Sequence, residues 1–181
     1  MHRQLVLNLL RAHVRQELED QEAHMTAATI RFVVEHVDCL WRRCGPGHLT
    51  GSAWIVSPDR RLTLLTHHRK LDKWLQLGGH ADGDSDLLAV ARREAEEESG
   101  LSRLRPLGSE IFDLDRHWIP ARGNEPGHHH YDLRFLIEAD PAEPLRITNE
   151  SKDLAWVEIS RVVELNPEES MMRMVRKTGL P

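Results

Sequence analysis

Apolar positions recur at helical spacing through residues 1–43. Leu5, Leu9, Leu10, Val14 and Leu18 form one series, and Ile30, Val33, Val34, Val37 and Trp41 form a second. Such spacing predicts amphipathic helices. Neither series is interrupted by Gly or Pro, but Gly45-Pro46-Gly47 follows at once. Such punctuation marks a boundary, so the pattern predicts a helical extension over residues 1–45 and a separate domain over 46–181.

Beyond the boundary the period changes. Residues 52–56 and 61–66 form short apolar runs bounded by turn residues, which reads as two strands. Residues 73–77 run into Gly78-Gly79, where the backbone can bend sharply and approach a ligand. Residues 85–99 return to helical spacing. Leu88, Ala91, Ala95 and Ser99 mark one face with Leu87 beside it, Asp84 or Ser85 is placed to cap the start, and Gly100 to stop the end. Further strands are expected at 111–114, 131–137 and 155–159. A last helix is expected to start with Asn166 as cap and Pro167 in its first position, and to end at Gly179. The order of elements predicts a mixed α/β fold with a mixed sheet between helices.

Composition narrows the function. The chain has 181 residues, 40% of them hydrophobic, and a formal net charge of -5. That is enough for a core, and it provides no basic field for a polynucleotide backbone. A small phosphorylated substrate accompanied by a metal ion suits the charge better. Cys39 and Cys44 match neither a redox nor a zinc-ribbon spacing and are expected to be reduced thiols. The apolar patch at residues 5–10 is too short to span a bilayer and precedes no small-residue cleavage site, which favours a cytoplasmic protein.

The chemistry concentrates in residues 79–101, GHADGDSDLLAVARREAEEESGL. Glu94, Glu97 and Glu98 stand at i, i+3 and i+4 and so share one helix face. Like charges at those spacings repel. A hard divalent cation bound through oxygen would offset the repulsion, whereas a merely solvated acidic face would not need the flanking glycines and Arg93.

This segment resembles the Nudix box: G, five residues, E, seven residues, then R-E-U-x-E-E-x-G-U, where U is a bulky aliphatic residue. Gly79 takes the first position, and residues 93–101, REAEEESGL, fill the far end in register. Ser85 stands where the family has its first glutamate, and Ala95 is smaller than the usual aliphatic. Asp82, Asp84 or Asp86 could stand in for the missing carboxylate. The resemblance implies a Nudix-type α/β/α sandwich with a mixed sheet, here with an N-terminal helical extension. It also implies a hydrolase that cuts the diphosphate linkage of a nucleoside diphosphate joined to another moiety, using Mg²⁺ or Mn²⁺. By residue-for-residue match Glu94, Glu97 and Glu98 would hold the metal, with the Gly78 carbonyl and the later Glu150 as added ligands. Arg93 would orient a glutamate.

Other residues are tied to the site more loosely. His80 follows the glycine pair. Lys70, with His67, His68 and Arg69, could make a basic approach to phosphate, and Trp74 could stack on a base. Of the twelve histidines, His128, His129 and His130 are consecutive. On a strand the first and third share a side, and adjacent positions cannot all reach one ion, so zinc is disfavoured. Contact with phosphate or base, notably by His130, or simple edge positions are the alternatives. A nucleotide-binding sensor on the same fold is the second functional reading, separated from the first by whether nucleotide is turned over. An isomerase of diphosphorylated isoprenoids lacks the paired cysteine and glutamate it would need. The partner is expected to be a small nucleotide derivative, with neither a membrane nor a polynucleotide, and the N-terminal helices leave room for homodimer contact.

Overall fold

The computed structural model describes residues 2–123 and 125–179. Two N-terminal helices, α1 (Arg3–His13) and α2 (Asp20–Glu35), precede β1 (Gly47–Val56), β2 (Leu62–His68), β3 (Lys73–Leu75) and β4 (Leu77–His80). Then come α3 (Leu87–Ser99), β5 (Arg105–Pro106), β6 (Asp113–Ile119), β7 (His128–Glu138) and β8 (Ser151–Glu158). A 3₁₀ turn leads into α4 (Val162–Leu165) and α5 (Glu169–Thr178).

The expected mixed sheet is present. Its centre is a parallel pair, β1 on β7, in register from Gly47↔His129 to Val56↔Glu138. All ten residues of β1 are buried. The other pairings are antiparallel: β2 and β4 on β1, β3 and β8 on β2, β5 and β6 on β7. Side chains alternate along a strand, so the register gives the sheet two unlike faces. Leu49, Ala53, Leu133 and Phe135 face the main core, which α3 closes with Leu87, Val90, Ala91 and Ala95. Val6, Leu10, Phe32 and Val33 of α1 and α2 enter the same core, and Phe32 stacks on Tyr131 with ring centroids 4.0 Å apart. On the other face Trp54, Val56 and Leu65 meet Met171 and Met174 of α5.

Several expected boundaries move. The first 43 residues are not continuously helical, since 14–19 separate α1 from α2 and residues 36–44 form turns. The buried face of α1 is Val6, Leu10 and His13, while Leu5 and Val14 are exposed. The strand expected at 52–56 begins at Gly47, because buried polar residues hide its start from an apolar pattern. The strand expected at 111–114 runs from Asp113 to Ile119. Helix α3 is capped by Asp86, whose carboxylate accepts from the Ala89 N–H at 3.0 Å, in place of Asp84 or Ser85. Asn166 does not start the last helix. It ends α4, its Oδ1 accepts from the Glu168 N–H, and Pro167 lies ahead of α5. Gly100 and Gly179 end their helices in the left-handed conformation, as expected.

A buried ionic core ties α2, β6, β7 and α5 together. Asp113 accepts from Arg134 at 3.0 Å, from Arg173 at 2.6 Å and from Lys177 at 3.0 Å. Lys177 also reaches Glu22 of α2 at 2.5 Å, and Glu22 lies 2.9 Å from His13. The side chains of Asp113, Glu22 and Arg173 are fully buried. Removing one member of such a network leaves buried charge unpaired, which costs about 3–5 kcal/mol. Asp113→Ala should therefore lower the thermal midpoint by about 10 °C or more. Arg161→Ala, at an exposed pair with Glu164, should leave the midpoint nearly unchanged. Thermal unfolding followed by circular dichroism checks both, and equal effects would show that the ionic core has no special weight.

Candidate active site

Strand β4 runs directly beneath α3. Gly79 sits against Glu94 so closely that a Cβ there would run into the carboxylate and push that side chain aside. One turn on, Glu97 is exposed, while Glu98 is half-buried and faces the backbone N–H of Gly78. Arg93 Nη2 donates to Glu94 Oε1 at 3.2 Å.

The three aspartates that could replace the missing carboxylate at Ser85 each have other work. Asp82 forms a two-point pair with Arg42 at 2.9 Å, Asp86 caps α3, and Asp84 lies 4.0 Å from Arg93. Of these, Asp84 alone touches a residue of the box's far end.

Glu150 lies on the loop before β8. Its charge acts on both Glu94 and Glu98, which brings the four carboxylates into one neighbourhood. Burial pushes the Glu98 carboxyl up to about 8, and repulsion from Glu94, Glu150 and Glu97 adds to it. Burial likewise raises Glu94, against the opposing pull of Arg93. The cluster has more negative charge than its surroundings neutralise. Its donors are carboxylate oxygens, which suit a hard divalent cation of the Mg²⁺ or Mn²⁺ kind.

The remaining expected residues separate into two groups. Lys70 lies exposed on the turn after β2, beside the Glu150 loop, where the Arg69 N–H donates to the Glu150 carbonyl at 2.8 Å. Trp74 is half-buried with its ring stacked on His67, centroids 5.1 Å apart, so one face is already covered. His80 and His130 meet each other, ring centroids 5.1 Å apart, on the sheet face away from the glutamates. His48, which no apolar or acidic pattern singles out, stands beside both. The thiols of Cys39 and Cys44 are free and buried, and burial pushes them up to about 11 and about 12, far from the reactive thiolate. Among the described residues no helix is long and apolar enough to cross a membrane.

The sequence matches a family model described as NUDIX domain over residues 48–177. Among solved structures, a C. elegans Ap4A hydrolase binary complex is similar with a TM-score of 0.57 and 17% identity, covering 71% of this chain and 93% of that one. A NUDIX-family hydrolase from Clostridium perfringens gives 0.54 and 24% over 72% and 95%. The NUDIX domain of Shewanella oneidensis NrtR, complexed with ADP ribose, gives 0.51 and 15% over 71% and 84%. At these identities the likeness is one of fold. No curated protein matches the sequence.

The raised Glu98 makes a prediction about pH. An unfolded glutamate titrates near its ordinary 4.5, and the folded one near 8. Between these values the folded state keeps a proton that the unfolded state has lost, so metal-free stability falls as pH rises. His48 and His130, whose values burial and neighbouring histidines lower, act below their ordinary 6.5. Above about 6.5 the histidines no longer contribute, which leaves the two raised carboxyls, Glu98 and Glu94, and substitution separates the first from the second. In EDTA, Glu98→Gln should flatten the fall in thermal midpoint across that window and raise the midpoint at pH 8 by a few degrees. A fall as steep in the variant as in the wild type would assign it to another group.

Proposed function

The chain belongs to the Nudix family of pyrophosphohydrolases, and on that premise we propose that it hydrolyses the diphosphate linkage of a nucleoside diphosphate joined to another moiety. The reaction depends on Mg²⁺ or Mn²⁺ held by Glu94, Glu97 and Glu98, with the Gly78 carbonyl and Glu150 as further ligands. The observation that carries this reading is the under-neutralised carboxylate cluster between α3, β4 and the Glu150 loop.

Glu94, Glu97 and Glu98 would hold the ion, which when bound would supply positive charge against the phosphates and a source of hydroxide near neutral pH. Arg93 fixes the rotamer of Glu94 through its charge-assisted hydrogen bond. Gly79, with no side chain of its own, leaves that carboxylate room against the strand. Lys70, on the turn beside Glu150, supplies positive charge where an anionic substrate would enter. Trp74, expected to stack on a base, is instead held between His67 and the core on the α5 side. The products are a nucleoside monophosphate and a phosphorylated remainder. Ap4A and ADP ribose, named for two of the similar structures, both contain a nucleoside diphosphate unit and so fall within this class. The retained set of Glu94, Glu97 and Glu98 favours hydrolysis over binding alone, because a sensor gains nothing from like charges one helical turn apart.

The test is nucleoside monophosphate release from nucleotide sugars, dinucleoside polyphosphates, nucleoside triphosphates and CDP-alcohols, each with Mg²⁺ and with Mn²⁺. Wild type should turn over at least one class only with metal. Glu97→Gln and Glu98→Gln should each lower kcat by about 100-fold or more, since each removes stabilisation of the transition state. Tight binding of a nucleotide without turnover would replace this reading with the sensor.

A further inference from the structure

The sheet face turned away from α3 carries a cluster of imidazoles. The register pairs His48 of β1 with His130 of β7, and His130 with His117 of β6. Thr50, two residues beyond His48, pairs with His80 of β4. Paired residues share a face, as do alternate residues of one strand, so the four rings and His128 converge. The intervening pair, Gly51↔Gly79, lies on the opposite face under α3, where a Cβ at Gly51 would come within 2.6 Å of the Leu87 carbonyl. The sheet thus separates the histidines from Glu94, Glu97 and Glu98.

We propose that His48, His128 and His130 form a second metal site, for a divalent transition ion of the zinc kind, distinct from the carboxylate site. One ligand atom from each of the three lies within 4.8 Å of the other two. His128 Nε2 and His130 Nε2 are 3.3 Å apart. A tetrahedral ion with Zn–N bonds of about 2.0–2.1 Å sets ligand edges of roughly 3.3–3.4 Å, so this pair already spans one edge. The third corner closes with a shift of about 1.5 Å at most.

The hydrogen-bond pattern supports the same assignment. His128 Nδ1 lies 2.9 Å from the Pro126 carbonyl, which can only accept. The proton is therefore on Nδ1, and the Nε2 lone pair is directed into the cluster. A second-sphere carbonyl of this kind fixes the tautomer of a metal-binding histidine. His48 is 1% exposed, and neither of its ring nitrogens has a hydrogen-bond partner among the described residues. A buried polar atom without a partner is destabilising, and a bound ion would satisfy one of the two. Burial and the neighbouring histidines hold His48 near 4 and His130 near 2, so both are neutral, the ligating form, at pH 7. His80, with its ring centroid 4.9 Å from that of His48, walls the site. Three imidazoles suit Zn²⁺, Co²⁺ or Ni²⁺ and are poor ligands for Mg²⁺.

The test titrates the full chain with Zn²⁺, and separately with Co²⁺, in millimolar Mg²⁺ that occupies the carboxylates. Calorimetry gives stoichiometry, and Co²⁺ absorption reports coordination by nitrogen. One ion per chain should bind. Affinity should fall by at least about 100-fold in His48→Gln and in His130→Gln, more than the loss typical of a second-sphere change. It should be unchanged in Glu97→Gln/Glu98→Gln. Since His48 is deeply buried, the half-buried His130 variant decides the matter if His48→Gln does not fold. Zinc binding that survives the histidine substitutions, disappears with the glutamates, or is absent under saturating Mg²⁺ would overturn the site. None of these readouts depends on hydrolysis.

Discussion

The parallel pairing of β1 with β7 is the constraint from which the rest of the structure follows. Both strands are long, β1 wholly and β7 mostly buried, so their register cannot slip by one residue without exchanging the two faces. The register assigns Leu49, Gly51 and Ala53 to the α3 side, and His48, Thr50, Ser52 and Trp54 to the other. The second face is consequently graded along its length. It is apolar at Trp54, where α5 packs, ionic at Arg134 and Asp132, and imidazole-rich at His48 and His130. Thr50 and Ser52 both donate to Asp132, at 2.8 and 2.7 Å, which joins the last two zones across the strands.

The ionic zone explains how an N-terminal extension and a C-terminal helix come to be held by one domain. Burying charge is costly unless each group is paired and hydrogen-bonded. Around Asp113 that condition is met by Arg134, Arg173 and Lys177 together, and Lys177 passes the connection to Glu22. Burial alone would raise the Glu22 carboxyl, but bonds from His13 and Lys177 outweigh it and hold it below its ordinary range. The partners come from four separate elements, so no element can leave without stranding a charge. Apolar packing of Val6, Leu10 and Phe32 supplies the remaining attachment of the extension.

What could be read in the sequence was what is local in it. The three glutamates, Arg93 and the stop at Gly100 lie within one helix, where spacing translates directly into geometry. Glu150 lies far from them in sequence, and only the resemblance points to it; its charge acts on Glu98 in the fold. The histidine cluster was illegible for the opposite reason. Its members lie on four strands, and the pairing of His48 with His130 is a fact of register that no local pattern encodes. The start of β1 was hidden for a related reason, since His48, Thr50 and Ser52 are polar yet buried, satisfied or enclosed only by residues far along the chain. Helix α1 shows a third limit. Its apolar residues encircle it, and only the tertiary contact decides that Val6 and Leu10 face inward while Leu5 does not.

Two acidic clusters in the same molecule make the functional distinction concrete. Around Asp113 every buried carboxylate has a guanidinium or ammonium partner, and Asp115, under burial but paired with His117 and Arg134, is held well below the ordinary carboxylate range. Around Glu98 the electrostatic outcome is the opposite, because burial and the charges of Glu94, Glu150 and Glu97 raise it, while Arg93 is bonded to Glu94. A fold able to supply three cations to one cluster leaves the other short of them. Carboxylates whose charge is neutralised within the chain are structural, and those whose charge is left over are where a cation from solution gains the most by binding. The surplus lies on the α3 side of the sheet, beside Gly79, and it is this unbalanced charge, more than the number of glutamates, that supports the proposed metal role over a solvated acidic face.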